Sequence, residues 1–277
     1  TMISAIAIVG IKPTAYLQIL MTGFEVLILF AIIGVGLVKF SHLPAHHFSW
    51  SWLSFTSFTP DLFATGALTA VFFYWGWDVT LNLNEETKNT RHAPGIGAFW
   101  SVLIIICIYV SFAVVTLLAL SDAEIKHAGT NVIFAVAEKI VPRPWSYLAV
   151  FCVMLSTIGT LQTTIVQFTR TLFAEARDEI IHPRYATLHQ TRNTPWIAIL
   201  FIWFLGVILL FLSSNYSTVN LIIKDSVHAL GLLVAFYYSL TGFACAWYHR
   251  SLWKNTAELL GYIIWPTFSA LFLVFIA

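Results

Sequence analysis

Apolar residues in this chain neither alternate with polar ones nor recur as a narrow helical stripe. They run on in long blocks, at about 13–38, 62–88, 96–120, 145–177, 195–213, 217–248 and 257–277. A bilayer core about 30 Å thick asks for roughly 20 mostly apolar residues per spanning helix. Residues 1–10 read as the tail of one more block. In lipid every backbone amide must be paired internally, which leaves helices or closed barrels. Runs this long, without period-two alternation, predict helices. The expected fold class is therefore all-α integral membrane, as one transmembrane domain over residues 1–277.

The segments between the blocks are shorter and polar. Residues 41–60 are rich in Ser, His, Trp and Thr, and residues 85–95 read EETKNTRHAPG. Residues 121–144 predict a short interfacial helix before Pro142 and Pro144. Composition supports lipid as the solvent: 59% of residues are hydrophobic and 10% charged, with mean hydropathy +0.83. A soluble domain carries about a quarter charged residues. The net charge is +1 and no basic block offers a nucleic-acid surface. Cys107, Cys152 and Cys245 each sit inside an apolar block, with no spacing that pairs them or binds metal. The chain begins at Thr1, ends inside an apolar run and shows no signal peptide. An interior piece of a longer protein is the expectation.

Lys and Arg set the orientation. With alternating loops, one side holds Lys12, Lys88, Arg91, Arg170, Arg177, Arg184, Arg192, Arg250 and Lys254. The other holds Lys39, Lys126, Lys139 and Arg143. The first side is expected to be cytoplasmic. Trp50, Trp52, Trp145, Trp196 and Trp253 fall near the expected interfaces, as an aromatic belt does.

The most informative stretch is ATGALTAVFFYWGWDVTLNLNEETKNTRHAP, residues 64–94. It begins as an apolar helix. Gly76 then sits among aromatics, and Asp78, Asn82 and Asn84 follow. An acid and amides at this depth are costly unless they face protein or a cavity. One reading is a helix broken at the midplane near 75–78, whose freed amides and carbonyls bind charged groups. The other is a continuous helix with Asp78 paired to a neighbour.

Residues FFYWGWDVTLNLNEETKNTRHAPG resemble the sixth membrane helix and following loop of the amino acid–polyamine–organocation permeases. The family pattern is an aromatic stretch, Gly, an acid, then EE-x-K-N-P-x-x-x-P. Thr90 stands here where Pro is usual. Residues 169–198, TRTLFAEARDEIIHPRYATLHQTRNTPWIA, resemble that family's end of helix eight, with Thr169 for Ser and Glu179 for Gly. The resemblance implies a partial leucine-transporter-like inverted-repeat fold containing about helices five to eleven. It implies secondary transport of an amino acid or related amine by alternating access, across the cytoplasmic membrane, with a proton or sodium as possible coupling ion. A channel, a structural bundle or a membrane enzyme are the competing classes. No cofactor or metal is expected.

The resemblance also implies residue roles. Phe72, Phe73, Tyr74, Trp75, Gly76 and Trp77 match the unwound stretch that meets the substrate amine. Asp78 matches an acid at the start of the second half-helix. Glu25 lies where some relatives without a sodium site carry Lys. An unpaired carboxylate there is costly in lipid, which makes Glu25, with Asp78, a coupling and protonation candidate. Ser156, Thr157 and Thr160 offer hydroxyls for an ion, or bond their own helix. Glu85, Glu86, Lys88, Arg91, Arg170, Arg177 and Asp178 are solvated charge or an inner-gate network. Lys224 and Asp225 form a possible pair, beside His228. His42, His46, His47, His182 and His189 show no catalytic spacing and are expected to be solvated.

Overall fold

The computed structural model describes residues 2–54, 59–213, 219–252 and 256–277, and among them every regular element is helical. The helices are α1 (Met2–Val9), α2 (Ile11–Phe40), α3 (Pro60–Phe73), α4 (Val79–Asn82), α5 (Ala93–Ala119), α6 (Asp122–Ala128), α7 (Val132–Ile140), α8 (Tyr147–Arg177), α9 (Trp196–Ser213) and α10 (Val219–Tyr248). The last, α11, runs over Thr256–Ile276 with one π-helical turn inside it. Six of them hold segments long and apolar enough to cross a bilayer. Their outward faces carry large apolar side chains, among them Leu210 at 72% exposure and Phe275 at 72%. Exposed apolar surface on that scale needs lipid or protein against it. Trp253 lies outside the described residues.

The chain divides into two compact units, Thr1–Ser49 with Trp77–Ser214, and Trp50–Gly76 with Asn215–Ala277. In the first unit, α1 is set off from α2 by Gly10 at φ 144°. At one end of α2 the core is Ile32, Ile33, Val115, Ala119, Leu120, Val136, Ala137, Ile140 and Ala149. Lys39 fixes α7 there. Its Nζ donates to the carbonyls of Lys139 at 2.8 Å and Ile140 at 3.1 Å, groups that a helix end leaves without partners. A smaller core near the other end joins Ala7, Ile165, Val166 and Ile199, with Leu83 packed on it.

The interfacial helix expected before Pro142 is α7. The polar stretch ahead of it forms a further helix, α6, which residues 121–128 announce only through their cap. Ser121 Oγ accepts from Glu124 N at 3.4 Å, and Ser121 N donates to Glu124 Oε2 at 2.9 Å. That reciprocal pair is a capping box. Lys139 Nζ approaches Glu124 Oε1 at 2.7 Å. His46 is not simply solvated: its Nδ1 pairs with Leu117 O at 2.9 Å and its Nε2 lies 3.5 Å from Asp122.

In the second unit, α3 starts at Thr59, whose Oγ1 accepts from Leu62 N at 3.3 Å, with Pro60 at the first turn. Backbones approach closely through small residues. A Cβ on Gly231 would meet Leu68 O at 2.8 Å, and one on Gly242 would meet Pro266 O at 2.8 Å. Pro266 has no N–H for Tyr262 O, four residues before it. The Cys245 thiol reaches that carbonyl at 3.7 Å, beside the π turn Leu260–Ile264.

Two outcomes follow. Gly242→Ala would push against the Pro266 carbonyl and the Ala270 Cβ, neither of which swings aside, and should lower the thermal midpoint of the detergent-solubilised protein, at a cost of about 1–3 kcal/mol. Gly23→Ala, with nothing within 4 Å, should leave the midpoint unchanged or raised; the reverse order would refute the close approach. The Lys139 hydrogen bond, and then those from Ser121, hold the Glu124 carboxyl down to about 2, from 4.5. A depressed carboxylate stabilises the fold above about pH 4.5 and loses that contribution as pH falls towards 2. Carboxyl ¹³C titration should place its midpoint near about 2, and Lys139→Met should raise it. A midpoint near 4.5 in both proteins would contradict the pairing.

Candidate functional site

The α3 run ends at Phe73, and helix resumes at Val79. The closing bonds are Tyr74 N to Ala70 O at 2.9 Å and Trp75 N to Phe72 O at 3.1 Å. Gly76 then takes φ 122°, a backbone region that only glycine enters without strain. Asp78 O restarts the ladder by accepting from Leu81 N at 2.9 Å and Asn82 N at 3.1 Å. The expected stretch 75–78 is thus non-helical. Phe72 meets Phe73 edge-on at 5.7 Å and tilts against Trp75 at 6.5 Å. Phe73 is exposed, whereas Phe72, Tyr74, Trp75, Gly76 and Trp77 are half-buried. Trp75 Nε1 is buried with no hydrogen-bond partner among the described residues.

After the break, Thr80 Oγ1 donates within reach of Trp77 O at 2.9 Å and Pro94 O at 3.1 Å, tying α4 to α5. Gln167 Nε2 on α8 donates to Asp78 Oδ2 at 3.4 Å. Asp78 therefore does two things, starting the half-helix and joining it to α8. Beyond α4, Arg170 pairs with Glu86 at 2.7 Å. Arg177 makes two bonds to Glu85, at 3.1 and 2.8 Å. The hydrogen bond from Arg177 holds the exposed Glu85 carboxyl below the usual carboxylate range. A cavity of about 460 Å³ opens here, its lining including Asn82, Glu86, Arg170, Glu175 and Asn193.

Glu25 and Ser156 come together where α2 and α8 pack antiparallel. The Glu25 side chain lies beside Ser156, and Cys152 Sγ lies 3.7 Å from Glu25 O. Further along, Gly159 makes room for Gln18, since a Cβ there would lie 3.0 Å from Gln18 Nε2. Gln162, fully buried, donates from Nε2 to Thr14 O at 2.6 Å. A carbonyl can only accept, so the Gln162 amide is fixed in this sense and its Oε1 points away. That oxygen has no partner among the described residues, and neither has Gln18 Oε1. Thr157 and Thr160 are not part of this seam. Both are exposed, and Thr157 Oγ1 donates to Val153 O one turn back, at 2.8 Å. No cluster of three or more metal-ligating side chains occurs among the described residues. The Lys224 side chain lies outside those described, and Asp225 is exposed.

A family model described as amino acid permease matches residues 1–277. The chain belongs to the amino acid permease family. Its curated relatives include cationic amino acid transporter 8, vacuolar, of Arabidopsis thaliana, 28% identical over 249 residues, covering 85% of this chain and 39% of the relative. The serine/threonine exchanger SteT of Bacillus subtilis (strain 168) is 27% identical over 211 residues, or 76% and 47% of the two chains. Asc-type amino acid transporter 1 of Homo sapiens is 25% identical over 238 residues, or 81% and 44%. The permease chain thus spans less than half the length of these relatives. Their names are those of transporters rather than enzymes.

In this permease chain the sequence reading missed Gln18, Gln162 and Gln167. Their signal was present but faint: amides at 18, 162 and 167 interrupt mostly apolar blocks, and such amides need partners in lipid. Glu25 and Ser156, 131 residues apart and proposed on separate grounds, come to lie side by side.

Proposed function

We propose that the protein moves an amino acid or a related amine across the cytoplasmic membrane by alternating access. The observation that carries this reading is the helix break at Gly76. A helix interrupted inside a membrane run presents amides and carbonyls to whatever occupies the gap, and an amino acid brings groups of both signs to meet them. α4 is only four residues long, so its macrodipole is small, and the backbone groups themselves would carry most of the recognition. Phe72, Phe73, Tyr74, Trp75, Gly76 and Trp77 form the substrate-binding stretch, with Asp78 at its end. The named relatives carry cationic, hydroxylated and other amino acids, which supports the shared α-amino acid part as the feature recognised.

Coupling to a proton runs through Glu25. The support is its place inside a membrane-length helix, at the α2–α8 seam beside Ser156, where an ionised carboxylate is costly and its protonation state matters.

Counterflow of labelled amino acids should be measured in liposomes holding the full-length protein. Gly76→Val should cut the rate at least about tenfold, because a β-branched residue at this φ costs about 1–3 kcal/mol. Undiminished counterflow in that variant would remove the break from the site. Glu25→Gln should keep exchange but lower accumulation driven by a pH gradient at least about tenfold. Normal proton-driven accumulation in Glu25→Gln would dismiss the coupling role.

A further inference from the structure

The segment that follows the break cannot hold its own shape. α4 has four residues and buries none of them, and the 3₁₀ turn Asn84–Glu86 buries none either. An isolated helix shorter than about 12 residues is marginal in any sequence. Neighbours must fix its position: Thr80 ties it to α5 and Leu83 rests on the smaller core, and α8 supplies the charged and amide contacts. Gln167, Arg170 and Arg177 stand at spacings of three and ten, which a helix places on one side. They meet Asp78, Glu86 and Glu85 in that order.

The three contacts differ in access to water. Gln167 is 8% exposed. The Arg170 and Glu86 side chains are 14% and 31% exposed, against 48% and 65% for Arg177 and Glu85. Exposed ion pairs contribute little. Removing one partner of a largely buried pair strands the other charge and costs far more. Arg170 Nε is itself buried with no partner among the described residues, so its guanidinium already depends on Glu86. The weight of the contact therefore falls on the middle rung.

We propose that Arg170 is the positioning residue for the half-helix after the break, with Gln167 acting behind it through Asp78. Closed, the Arg170–Glu86 pair holds residues 78–86 against α8 and so fixes where the break presents its backbone. Parted, it frees that segment and widens the cavity beside Asn82 towards the cytoplasmic side. The transport consequence rests on the reading of Gly76 as the substrate site, but the docking of residues 78–86 does not.

Two measurements on the full-length protein in liposomes test this separately. Arg170→Ala should lower the maximal uptake rate about tenfold or more with apparent KM within about threefold, and Arg177→Ala should lower it less than about threefold. The exchange Arg170→Glu with Glu86→Arg should recover much of the loss. Independently of any substrate, Asn82→Cys in a background with Cys107, Cys152 and Cys245 replaced reports the segment directly. A membrane-impermeant thiol reagent on the cytoplasmic face should label it several-fold faster with Arg170→Ala, and near the original rate in the charge-exchanged protein. Equal labelling in the parent and Arg170→Ala proteins would overturn the proposal, as would an exchanged pair that labels as fast as Arg170→Ala. Should Arg170→Ala not fold, Arg170→Lys keeps the charge but loses the planar fork; it should label at a raised rate, and parent-like labelling there would also overturn it.

Discussion

A backbone amide or carbonyl without a partner costs several kcal/mol in hydrocarbon. That constraint shapes almost every feature of this chain. It makes the long apolar blocks helical. It also makes any interruption of a helix expensive, so each interruption comes with a device that answers for the lost bonds. At Pro266 the device is a π turn and the Cys245 thiol near Tyr262 O. At the end of α7 it is Lys39, reaching from α2 to the last carbonyls. At Gly76 the ladder stops over several residues, and the chain restarts on Asp78 O. Among the described residues the break is the interruption within an apolar block that spans the most residues. Its far side is anchored by polar side chains of α8, with Leu83 the one apolar residue placed on the smaller core.

α8 supplies that anchor, and its composition explains how. With α10 it is the least apolar of the six membrane-length helices. One face carries Ser156, Gly159, Gln162, Gln167, Arg170 and Arg177, and the other side carries residues such as Leu161 and Phe168, which are exposed. The polar face serves two neighbours. Its first half packs on α2, where Glu25, Gln18 and Thr14 answer it. Its second half packs on the short post-break segment. Glu25 and Asp78 thus both face one helix, beside Ser156 and Gln167, about three turns apart.

Much of this was legible in the residues. The helical blocks follow from length and hydropathy alone, and the break follows from a glycine, an acid and amides in the wrong solvent. Two families of detail were not legible. The first is pairing across the seam. Gln162 and Gln167 look alike in sequence, yet one bonds a backbone carbonyl of α2 and the other a carboxylate of the post-break segment, and only tertiary packing separates them. Ser156 and Thr157 are adjacent, and the helical turn sends one to Glu25 and the other to its own backbone. The second is the weakness of α4. A block read as continuing to residue 88 ends in regular helix at Asn82, because Asn82, Asn84, Glu85 and Glu86 offer no apolar face to bury and their side chains compete for the backbone.

That weakness fits what the segment has to do. A long amphipathic half-helix would bury apolar area against α8 and α5, and such contacts separate only at the cost of wetting that area. Polar pairs behave differently. Glu85, Glu86 and Arg177 are at least partly exposed while paired, so water can replace the partner when they part and the net change is small. Arg170 is the exception, buried enough to favour one position strongly. A short segment held to α8 by one strong rung and two weak ones, with Thr80 and Leu83 as its other anchors, has a defined position and a shallow path away from it, the two properties that the proposed docking of residues 78–86 requires.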